Sequence, residues 1–284
     1  MAQQPSEFKP SISNHDRLSD QGHLVYPVFS RRSGGLSLGI NLNTDRGCNF
    51  DCVYCQVDRS APPPPLKPSI EQIEAELRGW LDKLAQEEGN DHALRDISLA
   101  GDGEPTSVKI LSEVFRLLLD LKREYQLDET KLVLFTNGSG IDRKDLASLW
   151  PELYAANFEV WFKLDYWDQD SLVRINRTRL NFERLTEKLI EFGQTYPVIL
   201  QSCFFRWQQE AFDCAKYQPY VQLVQSLLEQ GTKIEKIQAY TLARKPTEDE
   251  AEPWSNAEMD QLASLLRSTL KQPVELFYET GTEE

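Results

Sequence analysis

Leu36-Ser37-Leu38-Gly39-Ile40-Asn41-Leu42, followed closely by Cys48-Asn49-Phe50-Asp51-Cys52-Val53-Tyr54-Cys55, is the stretch on which the fold turns. Its first part alternates apolar and polar residues with period two, which predicts a strand. Its second part sets three thiols, spaced by three and then two residues, in the loop directly after that strand.

Outward from this stretch the chain keeps one rhythm of short apolar runs and longer helix-patterned segments. After Pro62 to Pro65, which fit neither helix nor central strand, Ser69-Ile70-Glu71-Gln72 reads as a capping box. Ile70, Ile73, Leu77, Trp80, Leu81 and Leu84 then share one helical face. Further strands are expected at 96–100, 131–136, 158–165, 198–204 and 234–242, separated by helix-like stretches near 108–125, 142–149, 181–193, 217–230 and 256–270. Ser255 with Glu258 offers a second capping box for the last of these. Six strands alternating with helices imply right-handed βαβ units and a parallel sheet, doubly wound or curled into a barrel. The unusual polar motifs follow the C-terminal ends of successive strands, where α/β folds build their sites, so the expected architecture is a partial (βα)6 barrel. Residues 1–25 are polar, with Pro5 and Pro10 and no sustained periodicity, and read as an N-terminal arm before a barrel over 26–284 with a C-terminal extension.

Composition narrows the function. With 40% hydrophobic and 27% charged residues, the 284-residue chain falls in the globular range. No apolar run approaches the roughly 20 residues that span a bilayer, and the N-terminus lacks a signal-peptide pattern, so a cytoplasmic protein without membrane contact is expected. Five cysteines, three of them within eight residues, resemble a metal site more than a disulfide framework. The net charge of −14 disfavours broad nucleic-acid binding, so RNA is a disfavoured partner.

Thiolates are the ligands of iron–sulfur clusters, and a four-iron cube ordinarily takes four of them. Cys48, Cys52 and Cys55 supply three, leaving one iron open to a chelating ligand, for which the amino and carboxylate groups of S-adenosylmethionine (SAM) are suited. The alternative is zinc, which commonly wants four ligands; the fourth would come from Cys203, Cys214 or a distant histidine, and the chain would then be a zinc-binding interaction module.

Downstream, Gly101-Asp102-Gly103-Glu104-Pro105-Thr106 follows the second strand, where two glycines allow positive φ and close approach while carbonyls and Glu104 could hold an ammonium group. Thr136-Asn137-Gly138-Ser139-Gly140 closes the third strand with groups fit either for a carboxylate or ribose or for capping a helix. At the end of the fourth strand, Lys163 and Asp165 fall on one face, as a site pair or a structural salt bridge. Lys163, Arg174, Arg177, Arg179 and Arg184 cluster within 22 residues, which suggests a locally positive mouth for an anionic substrate or merely a solvated helix start. Cys203 could face the barrel as a substrate-side thiol or be a small buried residue. The acidic segment 248–252 reads as a solvated loop without a partner.

The CxxxCxxC spacing with aromatic Tyr54 before the last cysteine resembles the signature of the radical SAM superfamily. Ser30-Arg31-Arg32, Leu36 to Leu42 and Cys48 to Gln56 further resemble iron–sulfur oxidoreductases related to wyosine-base synthases, with similarity running to about residue 180. The resemblance implies a partial (βα)6 barrel, one SAM-bound 4Fe-4S cluster, 5'-deoxyadenosyl radical chemistry and a low-potential electron donor such as flavodoxin or ferredoxin. It assigns Gly101, Asp102, Gly103 and Glu104 to the SAM amino group, although Asp102 stands where the family has glycine. It also places Lys163 near the SAM carboxylate or substrate and Asp165 on the ribose, with Tyr54, Thr136, Asn137 and Asn176 (of Ile175-Asn176-Arg177) near the cofactor. Arg177, Arg179 and Cys203 are the expected substrate contacts. Because only two cysteines are spare, a second all-cysteine cluster is not expected, a departure from wyosine-base synthases; modification of a tRNA base is the alternative enzymatic reading, favoured by the resemblance and disfavoured by the charge and the missing cluster.

Overall fold

The computed structural model describes residues 18–86 and 93–279, so most of the expected arm, residues 1–17, lies outside them. Of the remainder of that arm, Leu18 and Leu24 are buried, and Leu24 belongs to the main core.

The strands are β1 (Val25–Ser30), β2 (Gly35–Ile40), β3 (Leu94–Leu99), β4 (Lys131–Thr136), β5 (Phe158–Lys163), β6 (Val198–Cys203), β7 (Phe205–Trp207), β8 (Ile234–Tyr240), β9 (Ala251–Pro253) and β10 (Val274–Phe277). The helices are α1 (Ile70–Gln86), α2 (Leu111–Glu124), α3 (Lys144–Ala147), α4 (Trp150–Ala155), α5 (Gln169–Asn176), α6 (Phe182–Thr195), α7 (Gln218–Glu229) and α8 (Asn256–Thr269). Among the described residues one sheet of eight strands runs β1-β2-β3-β4-β5-β6-β8-β10. β1 is antiparallel to β2 and every other pairing is parallel. The sheet curls into the partial barrel that the βα rhythm implies.

Period two sorts the side chains of this sheet into two environments. Leu38, Ile40, Ile97, Leu99, Leu132, Leu134, Val160, Phe162, Val198 and Leu200 join the main core, which also holds the buried faces of the helices. The alternate positions carry Ser37, Asp96, Ser98, Phe135, Lys163, Gln201 and Tyr240, and these line the hollow of the curl. Packing on the outer face therefore stabilises the barrel, at roughly 1.5–3 kcal/mol for each large side chain fully removed from water. The inner face is left free to carry chemistry.

Two edge strands escape the sequence pattern. Pro27 lies inside β1, and a proline is tolerated there because the strand sits at the sheet edge and need not donate on its outer side. β10 has four residues, too few for a clear alternation. Helix α5 was also unexpected; Asp168 and Ser171 form a reciprocal capping box at its start. At α8 the expected box between Ser255 and Glu258 is present. At α1 half of the expected box forms, because Ser69 Oγ accepts from Gln72 N at 3.2 Å while the Gln72 amide turns to the Gly22 carbonyl and Glu76. The acidic segment is corrected more sharply. Glu248 grips Arg177 through both carboxylate oxygens, and Ala251–Pro253 pairs with β7 in a small antiparallel sheet, so the segment is tied down at both ends and is not a free loop.

Candidate functional site

The cysteine loop lies at the C-terminal end of β2, and all three thiols open onto one cavity of about 330 Å³ in the hollow of the sheet. Each sulfur accepts a hydrogen bond. Phe50 N donates to Cys48 Sγ at 3.4 Å, Asn176 Nδ2 to Cys52 Sγ at 3.2 Å, and Val57 N and Arg59 Nη1 to Cys55 Sγ at 3.4 and 3.2 Å. Donors aimed at sulfur stabilise thiolate over thiol and are a means by which proteins hold and tune iron–sulfur clusters. Without metal, burial pushes the Cys48 thiol up, and burial with the nearby Asp165 charge pushes Cys52 up to about 12. Ligation therefore has to displace protons from these two sulfurs. The donor set fits a cluster that takes each thiolate on a separate iron. Among the described residues no group of three His, Cys, Asp or Glu side chains is already set to hold a single metal ion.

The loop is held from below by the next two strand ends. After β3, Gly101 and Gly103 serve close approach and not positive φ: a Cβ on Gly101 would stand 2.2 Å from Asn41 Oδ1, and one on Gly103 would stand 1.9 Å from the Gly47 carbonyl. Asp102, which replaces the family's middle glycine, is accommodated by Asn41, whose Nδ2 donates to Asp102 Oδ2 at 2.6 Å and whose Oδ1 accepts from Asp102 N at 3.1 Å. Glu104 is buried and joins two loops. Its Oε1 accepts from Thr106 N, Thr106 Oγ1 and Thr136 Oγ1, and its Oε2 accepts from Asn137 N at 2.7 Å. Burial raises the Glu104 pKa, against the pull of those donors. Oε2 retains capacity for one further donor, such as an ammonium group. After β4, Asn137 Nδ2 donates to Asn49 Oδ1, and Asn49 Nδ2 donates to Ser139 Oγ, each at 2.7 Å. Asn137 thus braces the cysteine loop, and Thr136 braces Glu104.

On the far side, Lys163 Nζ lies 3.2 Å from Asp165 Oδ1 and also donates to the Tyr240 hydroxyl. Burial opposes the lysine charge, but Asp165 and Tyr240 outweigh it and hold the pKa above its ordinary value, so Lys163 is an ammonium and not a nucleophile. Asp165 is further engaged by Tyr54 OH and, at 2.7 Å, by Cys203 N.

The cavity is therefore lined by Cys48, Cys52, Tyr54, Cys55, Gly101, Asp102, Gly103, Glu104, Thr136, Asn137 and Lys163 together. Asp165 and Cys203 sit in a smaller adjoining pocket, and Asn176 backs the cysteine loop. Cys203 is buried, and burial raises its thiol pKa. Arg177 and Arg179 are exposed and outside the cavity, and Arg177 is already paired with Glu248. Of the five-residue basic cluster, Arg177 has its charge compensated within the chain. Sequence reasoning missed Asn41, Tyr240 and the role of Arg59. Asn41 lies within the quoted strand and Arg59 just beyond the cysteine motif, whereas Tyr240 reaches Lys163 only through the tertiary fold.

No family model matches the chain. A UPF0026 protein of Methanocaldococcus jannaschii is 32% identical over 176 residues, covering 60% of this chain and 49% of that protein. A protein of Brachyspira hyodysenteriae named GTPase Obg is 23% identical over 245 residues, covering 83% of this chain and 32% of that one. The present sequence has no Walker A phosphate loop, so that name brings no activity with it. The chain spans about half or less of the length of these relatives. Among solved structures, a spore photoproduct lyase variant superposes with a TM-score of 0.56 at 12% identity, covering 90% of this chain and 79% of that one. TYW1 with a lysine-pyruvate adduct gives 0.50 at 16% identity, covering 82% and 73%. Both are radical SAM enzymes, and the curled, mostly parallel sheet described above is the fold this chain has in common with them.

Proposed function

We propose that the chain is a radical SAM enzyme, with Cys48, Cys52 and Cys55 holding a 4Fe-4S cluster and SAM on its open iron. The observation that carries this reading is the three thiols, each accepting a hydrogen bond, gathered on one cavity at the C-terminal ends of parallel strands. When bound and reduced, the cluster supplies the electron that splits SAM into methionine and a 5'-deoxyadenosyl radical able to abstract hydrogen from substrate. Residues of this chain do the rest. Glu104 Oε2 would accept from the SAM ammonium, Lys163 would serve its carboxylate, and Tyr54 with Asp165 would hold the nucleoside. Donors on the three sulfurs would favour the thiolates once metal has displaced their protons. A low-potential donor such as flavodoxin or ferredoxin would deliver the electron, in a reducing, cytoplasmic setting where thiols stay free.

Modification of a tRNA base, as in wyosine synthesis, is the weaker reading. The net charge of −14 opposes phosphate contact. Cys203 and Cys214 stand apart, the first buried in the barrel and the second 3.7 Å from the Gln261 carbonyl. Metal analysis after anaerobic purification tests the proposal. Iron with acid-labile sulfide, near four of each per chain by the cluster's own stoichiometry, supports it; zinc alone would replace it with an interaction module. Substrate is then sought by following 5'-deoxyadenosine in fractionated cell extract.

A further inference from the structure

The cavity holds a second group of side chains that the cofactor reading leaves unused. Arg31 and Arg32, in the turn between β1 and β2, line it, and its walls carry five basic side chains against three carboxyls in a chain of net charge −14. The Arg32 guanidinium lies 5.5, 6.0 and 5.1 Å from the ring centroids of Phe135, Trp161 and Tyr240, and donates to Gln201 Oε1 at 3.2 Å. Ring contacts occupy guanidinium faces and leave in-plane N–H donors for a planar acceptor. Arg31 donates to the Tyr278 carbonyl, tying the turn beside one edge strand to the chain just beyond the other. Burial and the like charge of Arg32 both lower the Arg31 pKa, and among the described residues no carboxylate offsets them.

Asp96 supplies an independent sign of a missing partner. It is 1% exposed and lines the same cavity. Ser37 Oγ donates to its Oδ1 at 2.6 Å and Ser33 lies near enough to stabilise the carboxylate, whereas among the described residues no donor stands at hydrogen-bond distance from Oδ2. A buried polar atom left unpaired is costly, and Arg31, whose charge no carboxylate among the described residues offsets, stands in the same hollow.

The geometry points to a substrate-anion site: Arg31 and Arg32 bind an oxyanion of the substrate, a carboxylate or a phosphate, and Asp96 Oδ2 meets a hydroxyl or amino group of the same molecule. This inference rests on the proposed function and names its substrate class. It also moves anion recognition from Arg177 and Arg179 to the inner face of the barrel.

The test uses the anaerobically purified protein loaded with SAM but without reductant, titrated calorimetrically with inorganic phosphate and, separately, with acetate. One saturable site per chain is expected, weakening as salt rises. Whichever anion binds more tightly identifies the source of the oxyanion. The R31Q/R32Q double substitution should weaken binding by at least about tenfold, while Arg177→Gln should bind as the parent does. Should the double variant fail to fold, phenylglyoxal labelling of the unmutated protein replaces it, with Arg31 and Arg32 expected to be shielded by the bound anion. Binding that persists unchanged in the double variant, shielding of other arginines alone, or no saturable binding of either anion would overturn the site. Because binding is read without reduction, the outcomes separate. Anion binding without SAM cleavage keeps the site and removes the radical reading; SAM cleavage without anion binding does the reverse.

Discussion

The Asn176 side-chain amide donates to Cys52 Sγ across 3.2 Å, joining the last residue of α5 to the middle of the cysteine loop. The backbone doubles the link: Asp51 N donates to the Asn176 carbonyl at 2.8 Å and Val53 N to the Ile175 carbonyl at 3.0 Å. A helix end that fixes the loop on both sides of a ligand sulfur sets the position of that ligand before any metal arrives.

Substituting Asn176 should therefore separate packing from charge. Asn176→Ala loses one buried donor and is expected to cost about 1–3 kcal/mol in unfolding of the metal-free protein. Asn176→Asp keeps the shape but turns a carboxylate toward the thiolate, so it should lower iron and sulfide per chain further than alanine does. Equal iron loading in the two variants would show that the amide is not a sulfur donor in the assembled site.

Two glycines offer an internal comparison. Gly103→Ala drives a Cβ to 1.9 Å from the Gly47 carbonyl, pushing the β3 loop off the cysteine loop. It should destabilise by about 1–3 kcal/mol or more, since a backbone atom must give way, and should reduce iron loading. Gly79→Ala in α1 meets nothing within 4 Å and should stabilise by roughly 0.5–1 kcal/mol. Thermal melts and iron assays on both read this directly.

Asp96 gives a pH signature. Burial raises its folded pKa, so the stability it contributes is present below the unfolded value of about 4 and is lost as pH rises through the folded pKa. Asp96→Asn removes that loss. The variant should match the parent near the unfolded pKa and become progressively more stable than it as pH is raised toward neutrality, read as a widening gap in melting temperature. A gap that stays constant with pH would mean Asp96 is ionised at no cost.

Arg177 and Glu248 form an exposed bidentate pair, and Arg177 occupies a left-handed position at φ 45° after α5. Arg177→Ala is expected to change stability by no more than about 1 kcal/mol, with the difference shrinking at high salt. A larger loss would place the pair among the main supports of the α5 end.

What could be read from sequence follows the range of the forces involved. Short apolar runs such as Lys131–Thr136 and Val198–Cys203, and the helix with buried Ile73, Leu77 and Leu81, report local burial and emerge where expected. The cysteine trio and the strand-end motifs were legible because each is contiguous. β1 and the short β10 were not, because Pro27 argues against a strand in the first and four residues show no clear alternation in the second. Distance in sequence hid Tyr240 behind Lys163 and Glu248 behind Arg177. A spacing of 71 residues between Arg177 and Glu248 leaves no local trace, and Arg177 read alone looked like uncompensated positive charge.

The account is tested most directly by reducing the anaerobically reconstituted protein in the presence of SAM and measuring 5'-deoxyadenosine and methionine. It predicts equal amounts of both from the parent protein, and none when Cys48, Cys52 or Cys55 is replaced by alanine. A protein that carries its full iron and sulfide at this loop, accepts the electron, and leaves SAM intact would contradict it.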